Sequence, residues 1–253
     1  MNIFVLLKRT FDTEEKIVIK NGAIQDDAVE YIINPYDEYA IEEAILQRDQ
    51  HGGKVTVVTL GDEETNKQLR TALAMGADEA VLINDEDLDE GDAWTTANIL
   101  ASYLKDKEPS LILAGNMAID GGSGQVGPLL AELLNISAIT SITNLKIDGT
   151  KAKIERDVEG DKEIVEVALP VLVTCQQGLN EPRYPSLPGI MKAKKKPIEE
   201  LELDDLDIEV ESHVETLDVF LPEAKPAGRI LAGEIPQQVE ELVNLLRTEA
   251  KVL

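Results

Sequence analysis

Short apolar runs spaced by amphipathic helical stretches fill the first two-thirds of the chain, and few folds accept that alternation. Residues 3–7 are wholly apolar, as a strand covered on both faces requires. A small hairpin is predicted over 17–24, turning at Asn21-Gly22. Asn34 reads as an N-cap and Pro35 as the first helical residue, with Asp37 and Glu38 in a first turn that favours negative charge. Ala40, Ile41, Ala44 and Ile45 form the apolar stripe of that helix, which Gly52-Gly53 ends. The pattern then repeats. Residues 55–60 alternate as a strand, Gly61-Asp62 turns, and Leu69, Ala72, Leu73 and Met75 share a helical face stopped by Gly76. A strand at 80–83 precedes a helix capped by Asp92 or Thr95 and carrying Ile99, Leu100, Tyr103 and Leu104. A buried-type strand at 111–114 and a helical stretch at 128–134 follow. Such a series implies βαβ units with right-handed crossovers and a mostly parallel sheet.

Beyond residue 138 the signals turn antiparallel. Residues 142–147 and 153–159, joined at Asp148-Gly149, read as a ribbon, and 163–168 alternate charged with apolar. Residues 169–174 return to a buried strand with Pro170 at its start. A proline-punctuated loop over 176–189 then leads into a lysine run. From Glu199 to Asp218 there are ten acidic residues and no Lys or Arg. A last helix, from Pro236 to about Glu249, carries Val239, Leu242, Val243, Leu245 and Leu246. The expected plan is an α/β domain over 1–190, with the loop at about 176–196 belonging to it, and an extension over 191–253. A charged, weakly apolar tail is rarely stable alone, so it packs back or reaches around another subunit.

Composition removes several classes. With 24 Lys+Arg against 49 Asp+Glu the formal charge is −25, unsuited to a nucleic-acid backbone. One Cys, Cys175, excludes a disulfide framework and suggests a reducing compartment; closing a buried strand, it reads as a core residue. The two His, His51 and His213, lie too far apart for a zinc site of familiar spacing. No apolar run approaches the roughly 20 residues of a membrane span, and no cationic leader precedes the first strand, so a cytoplasmic protein not embedded in a membrane is expected.

The most informative local feature runs from Ala114 to Pro128, between a strand and a helix. Gly121, Gly122 and Gly124 let backbone N–H groups turn towards one point, Ser123 and Gln125 add polar side chains, and the next helix offers its positive end. That is the chemistry of a phosphate cradle, although it matches neither the dinucleotide nor the P-loop fingerprint; a plain glycine turn is the alternative. In an open parallel sheet a ligand sits at the carboxyl ends of the strands, where the start of the first helix, Asn34-Pro35-Tyr36-Asp37, also belongs. No nucleophile–base pair accompanies the cradle, which points to a binder or carrier rather than an enzyme. Three prolines within 182–188 stiffen the later loop, and Leu187 reads as an exposed apolar tip or as a residue folded back on its own domain. Lys192, Lys194, Lys195 and Lys196 form a solvated face or a docking patch.

These segments, taken in order, resemble the beta subunit of electron transfer flavoprotein over nearly the whole chain. The resemblance is carried by VLLKR at 5–9, NPYD at 34–37, RTALAMGAD at 70–78, GNMAID at 115–120, LNEPRY at 179–184 and IMKAKKK at 190–196. The stretch 154–175 is similar to the family's signature region. The resemblance implies a Rossmann-like three-layer αβα domain with antiparallel additions and an extended C-terminal tail. It implies a heterodimer with an alpha subunit that holds most of the redox-active FAD, while the beta subunit binds AMP structurally. Electrons would come from acyl-CoA and related dehydrogenases and pass to a membrane quinone oxidoreductase. Carried over, the AMP site comprises Leu6, Asn34, Pro35, Tyr36, Asp37, Leu60, Gly115, Asn116, Met117, Ala118, Ile119, Asp120, Gly121, Gly122, Ser123, Gly124, Gln125 and Val126. Partner recognition falls to Leu187, the loop's anchoring leucine, with Pro188, Arg183, Tyr184, Lys192 and Lys195. The run Gln125-Val126-Gly127-Pro128 is similar to electron-bifurcating relatives, in which a second FAD takes the AMP position. An adenine-nucleotide-using enzyme on the same scaffold is the reading from another class.

Overall fold

The structure, a computed structural model, describes residues 1–25, 29–86, 88, 91–206, 208–209, 211–225 and 227–253. It divides into two compact units, Met1–Val18 with Ile24–Leu217, and Ile19–Ala23 with Asp218–Leu253. The first unit opens with β1 (Asn2–Leu6), whose residues from Ile3 on are buried. The short β2 (Arg9–Phe11) and β5 (Tyr31–Ile33) pair antiparallel, and between them β3 (Ile19–Lys20) and β4 (Ala23–Ile24) form the expected hairpin. Asn21 and Gly22 turn it with φ of 54° and 76°, the left-handed values that a two-residue hairpin turn requires. There follow α1 (Pro35–His51), β6 (Lys54–Gly61), α2 (Asn66–Met75), β7 (Glu79–Asn84), α3 (Ala93–Leu104), β8 (Leu111–Gly115) and α4 (Val126–Leu133). The antiparallel part comprises β9 (Ser137–Asp148), β10 (Lys151–Val158) and β11 (Asp161–Ala168), after which β12 (Val171–Cys175) returns to the sheet. Then come α5 (Leu187–Ala193) and β13 (Glu199–Leu201).

One nine-stranded sheet has the order β11-β10-β9-β12-β8-β1-β6-β7-β13. Its centre, β12-β8-β1-β6-β7, is wholly parallel. Successive side chains of a strand point to opposite faces, so each central strand feeds two cores. Ile3, Val5, Val57 and Leu113 pack with α1 and α2; Phe4, Val58, Ile112 and Leu172 pack with α3 and α4. This is a three-layer α/β/α sandwich of the Rossmann-like kind.

Three details differ from the sequence reading. The strand expected to alternate at 55–60 is covered on both faces, because Thr56 and Thr59 are buried along with the valines. β9 begins at Ser137: its first half pairs parallel with β12 and its second antiparallel with β10. The extension expected from residue 191 becomes a separate unit only from Asp218. Glu199–Leu201 pairs in parallel with β7, which keeps the chain as far as Leu217 in the first unit. The second unit contains α6 (Ile235–Thr248), opened by a capping box between Glu234 and Gln237. Among the described residues no helix is long and apolar enough to cross a membrane.

Candidate functional site

β1 lies between β6 and β8, so the sheet order reverses beside it, and there the carboxyl ends of the strands open into a cleft of about 440 Å³. Of the residues expected from the sequence, Leu6, Asn34, Asp37 and Leu60 line it, as do Gly115, Asn116, Met117 and Ala118. Gly121, Gly122, Ser123, Gly124, Gln125 and Val126 close one side. Pro35, Tyr36, Ile119 and Asp120 lie outside the lining.

The glycine loop is a tight turn with open space beside it. Gly122 and Gly124 have φ of 65° and 61°, and the Gly122 N–H bonds to the Ala118 carbonyl at 2.8 Å. A Cβ added at Gly121 or Gly122 would meet nothing within 4 Å, so this stretch faces open space. Gln125, at the N-cap of α4, makes no side-chain cap bond, which leaves the first amides of α4 to an anion. Asn116 is locked from behind: its Oδ1 accepts from Ser141 Oγ at 2.9 Å and Thr174 Oγ1 at 3.1 Å.

Asn34 and Asp37 knit the walls together. Asn34 occupies the N-cap position of α1, yet its side chain does not cap the helix. Its Nδ2 donates to the Met117 carbonyl at 3.0 Å and to Asp37 Oδ1 at 2.9 Å, while its Oδ1 accepts from the Ile119 N–H at 3.2 Å. Asp37 Oδ2 accepts from the Lys8 N–H at 2.7 Å and Oδ1 from the Gly115 N–H at 3.0 Å. One carboxylate thus ties the ends of β1 and β8 to the first turn of α1. Burial pushes its pKa up to about 7, against the pull of three N–H donors.

The far wall of the cleft escaped the sequence reading. Asp85, Leu88, Gly91, Asp92, Thr96 and Leu100, from the end of β7 and the start of α3, line it together with Lys8. Burial raises the Asp85 pKa, with the Asp62 charge adding to the effect. Asp92 is held below the usual carboxylate range, first by the Thr95 N–H that it caps at 2.8 Å. The cap at Asp92 was legible; that it faces the same cleft as Asn34 depends on the strand order.

The 176–196 loop lies apart from this cleft. Leu187, expected at a loop tip, is the first residue of α5: Ser186 Oγ accepts from the Gly189 N–H at 3.1 Å, and Pro188 suits the first turn. Leu187 is 80% and Tyr184 94% exposed, so both are free to meet another molecule. Lys192 and Lys195 are exposed as well. Arg183 has another task. Its Nε and Nη2 fork onto the buried Glu42 of α1 at 2.7 and 2.8 Å, fixing the loop to its own domain. Asn180 reaches the Tyr39 carbonyl and Glu43 beside it. At the other end Arg70 holds the Ala193 carbonyl at 2.7 Å. Cys175 is fully buried, and burial drives its thiol pKa well up, as suits a core residue.

A doubly wound sheet with a glycine-walled cleft at its switch point and a pinned, exposed loop beside its second helix defines the class. Comparison with known proteins gives the family. The family model "Electron transfer flavoprotein domain" matches residues 21–206. The chain is 65% identical to the electron transfer flavoprotein subunit beta of Bacillus subtilis over the whole of both chains. It is 38% identical to the caffeyl-CoA reductase-Etf complex subunit CarD of Acetobacterium woodii, covering 98% of each. It is 36% identical to the mitochondrial electron transfer flavoprotein subunit beta of Oryza sativa subsp. japonica, with all of both chains covered. The chain belongs to the electron transfer flavoprotein family, as a beta subunit.

Proposed function

We propose that this chain is the beta half of a heterodimeric electron carrier. It holds AMP in the cleft as a structural ligand and, with an alpha subunit, completes an FAD site at their interface. When bound, FAD supplies the electron-carrying chemistry. The residues of this chain bind the adenylate, shape the interface and present the docking loop. Electrons arrive from acyl-CoA and related dehydrogenases at the 176–196 loop and leave to a membrane quinone oxidoreductase. The unit at Asp218–Leu253, with Val239 and Leu242 of α6 exposed, packs on the alpha subunit.

The observation that carries this reading is the open glycine cradle in a cleft of about 440 Å³. Small-molecule sites span roughly 300–1,000 Å³, and the cleft falls within that range. The phosphate would rest on main-chain amides of Ser123 to Val126, since the Gly121 and Gly122 N–H groups are taken by Asp120 and the Ala118 carbonyl. Co-expression with the alpha subunit is expected to give a yellow 1:1 heterodimer that releases one AMP and one FAD on acid extraction. A colourless chain indifferent to the alpha subunit would overturn the reading. The Gln125-Val126-Gly127-Pro128 run favours a second reading, a second FAD in place of AMP. Two FAD and no AMP in the extract would establish it.

Leu187→Ala tests the loop. Burying a leucine in a partner is worth roughly 1.5–3 kcal/mol, or about ten- to a hundredfold in a transient affinity. Reduction by an acyl-CoA dehydrogenase at subsaturating carrier is expected to slow by that factor, with FAD and AMP content unchanged. Equal rates would remove the loop from docking.

A further inference from the structure

Four charged side chains line the cleft among the described residues: Lys8, Asp37, Asp85 and Asp92. Lys8 is the sole cation, and it is already engaged. Its Nζ lies 2.9 Å from both oxygens of Asp120. Asp120 Oδ1 also accepts from the Gly121 N–H at 2.6 Å. Asp120 is not among the residues that line the cleft, yet it draws on donors of two that are, the Lys8 ammonium and the Gly121 N–H.

From this arrangement we infer that Asp120 sets how much negative charge a bound nucleotide carries, admitting a monophosphate and opposing di- and triphosphates. The inference rests on the reading of the cleft as an adenine-nucleotide site. An ammonium has three donors, so Lys8 bridges one phosphate and Asp120 together. Each further phosphate adds charge that the single ammonium does not neutralise, close to a fixed carboxylate. The Lys8 side chain is 53% exposed, so solvent screens the repulsion to a few-fold effect rather than many orders. Gln125 and the amides of the glycine loop bring no second cation.

The test is calorimetric titration of the full-length chain, freed of nucleotide, with AMP, ADP and ATP at low salt. Asp120→Asn removes the charge and keeps an oxygen for the Gly121 N–H. It is expected to tighten AMP about twofold and ATP about fivefold, narrowing the preference for AMP. Lys8→Met is expected to weaken all three by about tenfold. Both positions are partly exposed, and unfolding midpoints of the variants should match the wild type. As an independent check on the unaltered chain, the preference for AMP over ATP should shrink as salt rises. An AMP-to-ATP ratio unmoved by Asp120→Asn, or AMP binding indifferent to Lys8→Met, would overturn the inference alone. A wild-type chain that takes up none of the three nucleotides would overturn the nucleotide reading, and the inference with it.

Discussion

Replacing Gly115 by alanine is expected to lower the unfolding midpoint of the nucleotide-free chain by about 6–12 °C, equivalent to about 3 kcal/mol. Gly115 ends β8 where the first turn of α1 crosses it. A Cβ there would lie 2.2 Å from Asp37 Oδ1, 2.7 Å from Tyr36 Cβ and 2.9 Å from the Tyr36 carbonyl carbon. Two of these are near-rigid atoms, so the first turn of the helix must move. Overpacking of this kind costs about 1–3 kcal/mol. Moving Asp37 also breaks its bonds to the N–H groups of Gly115 and Lys8, and each buried donor left unpaired costs about 1–3 kcal/mol. Gly121→Ala is the matched control. Its methyl would meet nothing within 4 Å, so stability should stay within about 0.5 kcal/mol while AMP binding falls. Thermal melts of both proteins decide the matter. A Gly115→Ala chain that melts with the wild type would show that β8 and α1 are not held at this distance in solution.

The contrast between those two glycines also marks how far the sequence can be read. The apolar stripe Ala40, Ile41, Ala44 and Ile45, the Gly76 stop and the Asp92 cap rest on contacts a few residues apart, and the structure has each of them in place. Gly121, Gly122 and Gly124, of which Gly122 and Gly124 take the positive φ that glycine permits, were legible as a turn. Gly115 was not, since nothing near it in sequence says that Tyr36 and Asp37 cross it. Asn34 shows the same limit. Its residue type and place beside Pro35 predict a cap, but the side chain bonds instead to Met117 and Ile119, partners supplied by the far side of the sheet. The opposite wall, with Asp85 and Thr96, needed the strand order, which local periodicity does not carry.

The loop after β12 divides similarly. Its prolines announced stiffness, and Leu187 announced an exposed apolar residue, which the structure places at the start of α5. Arg183 looked equally available for a partner. It is spent on Glu42 because α1 turns a buried carboxylate towards it, and an arginine fork satisfies both carboxylate oxygens at once. The short β13 was hidden for another reason. Three residues on a sheet edge bury little, and Glu199 and Glu200 point outward in a run that reads as solvated. The helix of the second unit was visible from its spacing, yet nothing in the spacing names the surface that its exposed apolar residues meet.

Asp37 should give the chain a pH dependence opposite in sign to that of an ordinary salt-bridged aspartate. Its folded pKa of about 7 lies above an aspartate's ordinary value of 3.8, with burial as the main cause. Between those two values the folded state holds a proton that the unfolded state has released. Its stabilising contribution is therefore complete below about pH 4, falls as pH rises and is gone once pH passes about 7. Asp37→Asn isolates the effect, because an amide does not titrate. The amide oxygen can keep the Gly115 and Asn34 donors of Oδ1, but its NH2 then faces the Lys8 N–H, which loses its acceptor. At pH 5 the Asp37→Asn protein is expected to be less stable than wild type by about 1–3 kcal/mol. By pH 8 wild type carries the cost of a buried charge and the gap should close or reverse. Urea unfolding of both proteins at pH 5, 6.5 and 8 measures it directly. A gap that widens with pH would mean that the three N–H donors outweigh burial, so that Asp37 is a stabilised carboxylate and the joint between β1, β8 and α1 is held by charge.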